Sequence, residues 1–265
     1  MKTDRGNEVP MSRPIVTRYA RFDVSTLNEA QVIDAIFART APLTPDEPHL
    51  VVTPNMNHVA RLQASSEFAS IYERARLILP DGWPVVRLAN SLGTELTARA
   101  TGSGITHTLA HMPGEGHRLF LVGGSTPASL EAASAVFRGN GWVVESEQAP
   151  VGWLGSADNL RVLAERVAAF RADLVLIGVG SPLQERVAVS LLDADGVTAV
   201  LMGVGASIDF VAGQAARRAP KWMQRLGIEW LHRILTDPAR LLKRYVADVV
   251  PFLKVVRQSH AHSGQ

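Results

Sequence analysis

Short apolar runs alternate along the chain with longer stretches of helical periodicity. Runs rich in Val, Ile and Leu predict strands at His49–Thr53, Leu77–Pro80, Arg118–Gly123, Trp142–Ser146, Asp173–Gly178 and Thr198–Gly203. Periodic segments between them predict helices at Asn57–Ala75, Ala128–Gly139, Asn159–Phe170 and Gln184–Leu192. Strands apolar on both faces belong to a parallel sheet covered by helices on each side. The pattern therefore predicts an α/β, Rossmann-like, mostly parallel sheet flanked by helices. A run near Pro14–Val24 followed by Asn28–Arg39 predicts a further strand and helix at one edge. Internal repeats and low-complexity linkers are absent.

The pattern changes after Gly213. Asp237 and Pro238 form a helix start, with Asp as N-cap and Pro in the first turn. Leu241, Leu242, Tyr245, Val246, Val249 and Val250 then make an apolar stripe flanked by Arg240, Lys243 and Arg244. This is a basic amphipathic helix, expected to kink or end near Pro251. It suits either a membrane interface or packing onto the α/β body. Charge sharpens the division: Gln214–Arg257 holds ten basic and three acidic residues, net +7, while the rest of the chain is −5. That field suits phosphates or an anionic membrane surface. The expected organisation is an α/β domain over 1–213 and a basic helical appendage over 214–265.

Composition narrows the classes. The 265 residues are 46% hydrophobic and 20% charged, as in globular chains. No apolar run approaches the roughly 20 residues that span a bilayer, and the polar N-terminus does not read as a signal peptide. Without cysteine there is no disulfide framework, thiolate zinc site or cysteine nucleophile. The expectation is a cytoplasmic protein, soluble or peripherally attached. Aromatics at 6%, with no stacking motif, argue against nucleic acid as partner.

Ligands of open α/β sheets bind beyond the carboxyl ends of the strands. Five such ends are polar or glycine-rich: Thr53-Pro54-Asn55, Asp81-Gly82-Trp83-Pro84, Gly123-Gly124-Ser125-Thr126-Pro127, the run from Gly178 to Glu185, and the run from Gly203 to Asp209. Ser125 or Thr126 can cap a helix starting at Pro127, and its free N–H groups would suit a diphosphate; an ordinary capped turn is the other reading. Asp81, leaving an apolar strand between Pro80 and Gly82, is placed either as a general base or as a turn residue bonded to its own backbone. GVGSPL and GVGASI lack the third glycine of a dinucleotide fingerprint, so NAD and FAD are discounted. Asp193-Ala194-Asp195 precedes a strand and belongs at the opposite sheet edge. His107, His111 and His117 lack zinc-site spacing. No metal and no cofactor are expected.

Taken together, TPNMNHV, ILPDGWPVV, RATGSG, LFLVGGS, LVLIGVGSPLQE, GVGASIDFVAG and RRAPKWMQRLGIEWLHRILTDPARLLKRY resemble the WecG/TagA/CpsF family of bacterial glycosyltransferases. The resemblance runs from about Val51 to Phe252. It implies metal-independent, inverting transfer from a UDP-sugar to a polyprenyl-diphosphate-linked saccharide at the cytoplasmic membrane face. It implies Asp81 as general base, with Thr53, Asn55, Arg99 and Asp209 in the pocket and Gln184 and Glu185 near the nucleotide-sugar. Gly123 and Gly124 fall in its substrate-binding rim. Arg233, Arg240 and Lys243 match basic positions of an appendage that folds over the pocket onto phosphate. The chain departs from the family at Leu183, where Lys is usual, and at Gly104, where Asp is common. Donors in the family include N-acetylmannosamine, its uronic acid and glucose. The competing classes are another nucleotide-dependent Rossmann-like enzyme, oxidoreductase or methyltransferase, and a non-catalytic anionic-surface binder.

Overall fold

A computed structural model describes residues 13–38, 43, 47–96, 99–150, 152–213 and 238–262. An antiparallel hairpin, β1 (Ile15–Val16) and β2 (Arg21–Phe22), comes first and forms a two-stranded sheet of its own. It is not an edge strand of the main sheet as the sequence suggested. Thr17 closes its turn, the hydroxyl accepting from Ala20 N–H at 2.8 Å, so the run doubles back.

The remaining strands are β3 (His49–Val52), β4 (Ala75–Ile78), β5 (Arg118–Gly123), β6 (Val143–Glu147), β7 (Leu174–Gly178) and β8 (Val200–Gly203). They pair in parallel in the order β4-β3-β8-β7-β5-β6, as expected for a Rossmann-like sheet. Gly123 lies opposite Gly178 and Ile177 opposite Gly203, so the carboxyl ends form one level rim.

Alternate side chains bury on opposite faces. Leu50, Val52, Phe120, Val122, Val175, Ile177 and Leu201 pack with α2 (Met56–Ala64), α3 (Ser66–Glu73), α4 (Trp83–Ser91), α7 (Ala157–Phe170) and α8 (Leu183–Leu192). Val51, Leu77, Leu119, Leu121, Leu174, Leu176, Val200 and Met202 pack with α1 (Glu29–Ala38), α5 (Gly102–His111), α6 (Pro127–Gly139) and α9 (Ser207–Val211). Each fully buried aliphatic side chain contributes about 1.5–3 kcal/mol, so this two-faced burial is the principal stabilising term.

The long helix expected over Asn57–Ala75 is divided. Ser65 is extended (φ −136°, ψ 120°); its hydroxyl caps α3 through Phe68 N–H while its own N–H closes α2 on Arg61. Helices α4, α5 and α9 were absent from the periodicity reading: α4 and α9 start just beyond glycine-containing strand ends, and α5 starts at Gly102 in the segment after α4.

The last helix, α10 (Pro238–Ala261), runs through Pro251 rather than ending there. Its C-terminal part is clamped to the body on both sides of that proline. Asn57 Nδ2 donates to both oxygens of the buried Asp248 at 3.0 Å, Val255 enters the core, and Ser259 Oγ accepts from Val16 N–H at 2.9 Å. These contacts offset the one helical hydrogen bond that proline cannot donate. On the outer face Val246, Val249, Val250 and Leu253 are exposed, at 65%, 41%, 60% and 53%. Among the described residues no helix is long and apolar enough to cross a membrane.

Candidate active site

Two neighbouring strand ends build the β4–β3 side of the rim. Beyond β4 the chain turns at Pro80, and the Asp81 N–H donates to Pro54 O at 2.9 Å, fixing the Asp81 backbone beside the end of β3. Gly82 follows at φ 90° as the residue preceding α4, a conformation that strains any residue with a Cβ. A Cβ at Gly82 would lie 3.8 Å from Asn55 Cβ, so the Asp81-Gly82 corner abuts Asn55. Asn55 caps α2: its Oδ1 accepts from Asn57 N–H at 3.0 Å and His58 N–H at 3.3 Å. With Oδ1 committed, a role for Asn55 toward a ligand falls to its amide donor.

Thr53 is buried under the start of α5, where a Cβ on Gly102 would lie 3.4 Å from Thr53 Oγ1 and from Gly203 O. The Arg99 guanidinium stands 6.0 Å from the centre of the Trp83 ring, immediately after the Asp81-Gly82 corner. Thr53, Asn55, Asp81 and Arg99 thus converge around one end of the sheet.

The middle of the rim carries Gln184 and Glu185 at the start of α8, 5% and 4% exposed. Glu185 faces inward. Its Oε1 accepts from Gln184 Nε2 at 2.8 Å and lies 3.0 Å from His58 Nε2, while Gln184 Oε1 accepts from Gly205 N–H at 2.9 Å. Burial alone would raise the Glu185 carboxyl; its contacts with His58 first, then with Gln184, outweigh it and hold the group below its ordinary value. Tyr72 shares this interior, and burial first, then the Glu185 charge, push its phenol well above its ordinary range. Gly203 leaves room for Gln184, whose Nε2 would lie 2.6 Å from a Cβ there.

Of the two readings of the β5 end, a diphosphate seat or an ordinarily capped turn, the structure shows the cap. Asp209 of α9 already supplies the anion: its Oδ1 accepts from Ser125 N–H at 2.8 Å, Ser125 Oγ at 2.7 Å and Ser129 Oγ at 2.8 Å. Thr126 and Ser129 form a reciprocal capping box, and Pro127 has no N–H to offer. Gly123 is explained by packing, since a Cβ would lie 2.8 Å from Gly178 O; Gly124 adopts φ 89°. Four strand spacings separate β4 from β5, roughly 19 Å at about 4.8 Å each, so Asp209 and Asp81 stand at different stations of the rim.

Three contributors escaped the sequence reading. His58 left one trace, the Asn-x-x-His spacing of a capping box. Glu29 has none: from α1 its Oε1 accepts from Thr101 N–H and Oγ1, both at 3.1 Å. A Cβ at residue 104 would overlap that carboxylate, which explains Gly104. Asp248, the third, reaches α2 from the far end of the chain.

Asp193 lies at the C-terminus of α8, on the sheet edge opposite the rim, and accepts a two-pronged hydrogen bond from Arg74 that lowers its pKa. A cavity of about 340 Å³ lies at that same edge, lined by Glu47, His49, Arg74 and Arg76, away from Asp81. Among the described residues no group of three or more His, Asp or Glu side chains is arranged to hold a metal. Arg233 lies outside the described residues. Arg240 and Lys243 lie on the backbone of α10, in a stretch whose side chains are also outside the description.

The family model for glycosyl transferases of the WecG/TagA/CpsF family matches residues 17–264, nearly the whole chain. With its parallel sheet, its polar rim and that match, the chain belongs to the WecG/TagA/CpsF family, glycosyltransferases of cell-surface polysaccharide synthesis.

Proposed function

We propose that this chain transfers a sugar from a UDP-sugar to a polyprenyl-diphosphate-linked saccharide, with inversion and without a bound metal. Asp81 takes the proton of the acceptor hydroxyl as that oxygen bonds the anomeric carbon. The bond from that carbon to the diphosphate oxygen breaks on the opposite side, and UDP leaves. One displacement requires one base, and a carboxylate positioned at the reacting oxygen contributes about 100- to 10,000-fold.

The observation that carries this reading is the Asp81 corner: a carboxylate residue fixed at a strand tip through Pro54, abutting Asn55 and followed by the Trp83–Arg99 contact. Thr53, Asn55 and Arg99 orient the reacting sugars there. Gln184 serves the donor side, and Asp209 with Gly123 and Gly124 shapes the far wall. Arg233, Arg240 and Lys243 neutralise the departing diphosphate, as fixed cations do in charge-stabilising sites. Placement of Asp193 and Asp195 away from the rim supports a metal-free scheme, because the one D-x-D pair cannot reach a diphosphate there. The outer face of α10, apolar at Val246, Val250 and Leu253 beside Lys254 and Arg257, supports attachment to an anionic membrane surface at the cytoplasmic side.

Thermal shift and product analysis test the reading. UDP should raise the melting temperature while NAD and S-adenosylmethionine leave it unchanged. One UDP-sugar should yield a product of inverted anomeric configuration in EDTA. Stabilisation by NAD or S-adenosylmethionine instead, or transfer that stops in EDTA and returns with a divalent ion, would overturn it.

A further inference from the structure

We propose that His58 and Glu185 are positioning residues that tie the loop holding Asp81 to the loops expected to hold the donor, so that a change at His58 is felt in nucleotide affinity. This rests on the donor reading given above. The chain of bonds is continuous and admits a single assignment of protons. Asp81 N–H donates to Pro54 O at 2.9 Å. Asn55 N–H, the next amide along, donates to His58 Nδ1 at 3.3 Å. Since Nδ1 accepts, the ring proton is on Nε2, which faces Glu185 Oε1 at 3.0 Å and donates to it. The same oxygen receives Gln184 Nε2–H, which orients the Gln184 amide so that its Oε1 meets Gly205 N–H.

Four strand ends, those of β4, β3, β7 and β8, are joined in this way by side chains that are themselves buried: His58 at 7%, Gln184 at 5% and Glu185 at 4% exposure. Glu185 therefore turns away from the rim. It acts through Gln184 and Asn55 and not by touching a ligand. Each bond of this buried chain holds the next group in place, because removing any member leaves a partner without its hydrogen bond.

The test has a spectroscopic arm and a binding arm. In protein labelled with ¹⁵N-histidine at neutral pH, His58 should show an unprotonated Nδ1 and a protonated Nε2. The opposite tautomer, or a doubly protonated ring, would overturn the network. In the second arm, UDP affinity is measured by calorimetry for His58→Phe, Glu185→Gln and Tyr72→Phe. His58→Phe should weaken UDP binding about tenfold, the loss expected of a hydrogen bond to a charged group. Glu185→Gln, which keeps an acceptor at Oε1, should stay within about threefold. Tyr72→Phe, which removes a buried hydroxyl from the same interior and leaves every bond of the chain intact, should leave affinity unchanged. Equal affinity in His58→Phe and wild type would overturn the coupling, as would a tenfold loss in Tyr72→Phe, which would make the effect mere packing. If His58→Phe fails to fold, Glu185→Gln decides: retained affinity together with the Nε2–H tautomer supports the network, and a tenfold loss overturns the acceptor assignment. Wild-type protein with the expected tautomer and no UDP binding would sink the donor reading and leave the hydrogen-bond chain standing.

Discussion

Asp81 and Asp209 both follow apolar strands at glycine-containing turns, yet their surroundings differ. Asp209 Oδ1 receives three donors from Ser125 and Ser129 and joins α9 to the start of α6. Asp81 is held by its backbone N–H, and the turn that follows it abuts Asn55. The Asp209 carboxylate ties α9 to the start of α6, whereas the Asp81 backbone is pinned at the strand tip beside Asn55. The same division runs through α10, where Asp248 is spent on Asn57 while Val250 and Leu253 face outward.

Replacing Asp209 should give the largest stability change. Asp209→Ala leaves the Ser125 and Ser129 donors without their acceptor and should lower unfolding free energy by about 1–3 kcal/mol in urea titration. With donor at saturation, sugar transfer below the melting transition should persist; loss of turnover with stability unchanged would erase the distinction between the two aspartates. On α10, Val250→Glu with Leu253→Glu should weaken binding to anionic vesicles at least about tenfold by sedimentation, given about 1.5–3 kcal/mol for each apolar side chain buried, while thermal stability stays near wild type. A loss of stability there would show that the outer face is packed in solution.

The smallest effect concerns the buried carboxylate. Glu185 has a lowered folded-state pKa, so its ionised form stabilises the fold above its ordinary value of 4.5, and that contribution is lost as pH falls through the lowered value. Glu185→Gln should therefore flatten part of the acid limb of the stability curve and leave the neutral-to-alkaline region parallel to wild type. An unchanged acid limb would show that Glu185 carries no such linkage.

The sheet was legible because its strands are apolar on both faces: Arg118–Gly123 coincides with β5, and the other strands differ from expectation by one or two residues at either end. Helices α4, α5 and α9 were hidden, since Gly82, Gly102 and Gly205 read as loop and give way to helix within a few residues. For the rim, the residue types after each strand were visible, and so was Asp81. Partnerships were not. His58 and Glu185 are 127 residues apart in sequence, Ser125 and Asp209 are 84 apart, and Asn57 and Asp248 are 191 apart. Sheet order and helix packing bring such pairs together, and no local pattern encodes which oxygen a donor will find. That is why the sequence left the turn at Pro127 open between a diphosphate seat and an ordinary cap, and could not show Asp209 bound there.

The most direct measurement is a single-turnover assay in EDTA comparing wild-type protein with Asp81→Asn, each preloaded with donor. Asparagine keeps the size of the side chain and cannot take the proton, so transfer should slow by at least about 100-fold while UDP affinity holds. Wild-type speed in the variant, or an equal slowing traced entirely to lost donor binding, would contradict Asp81 as the base.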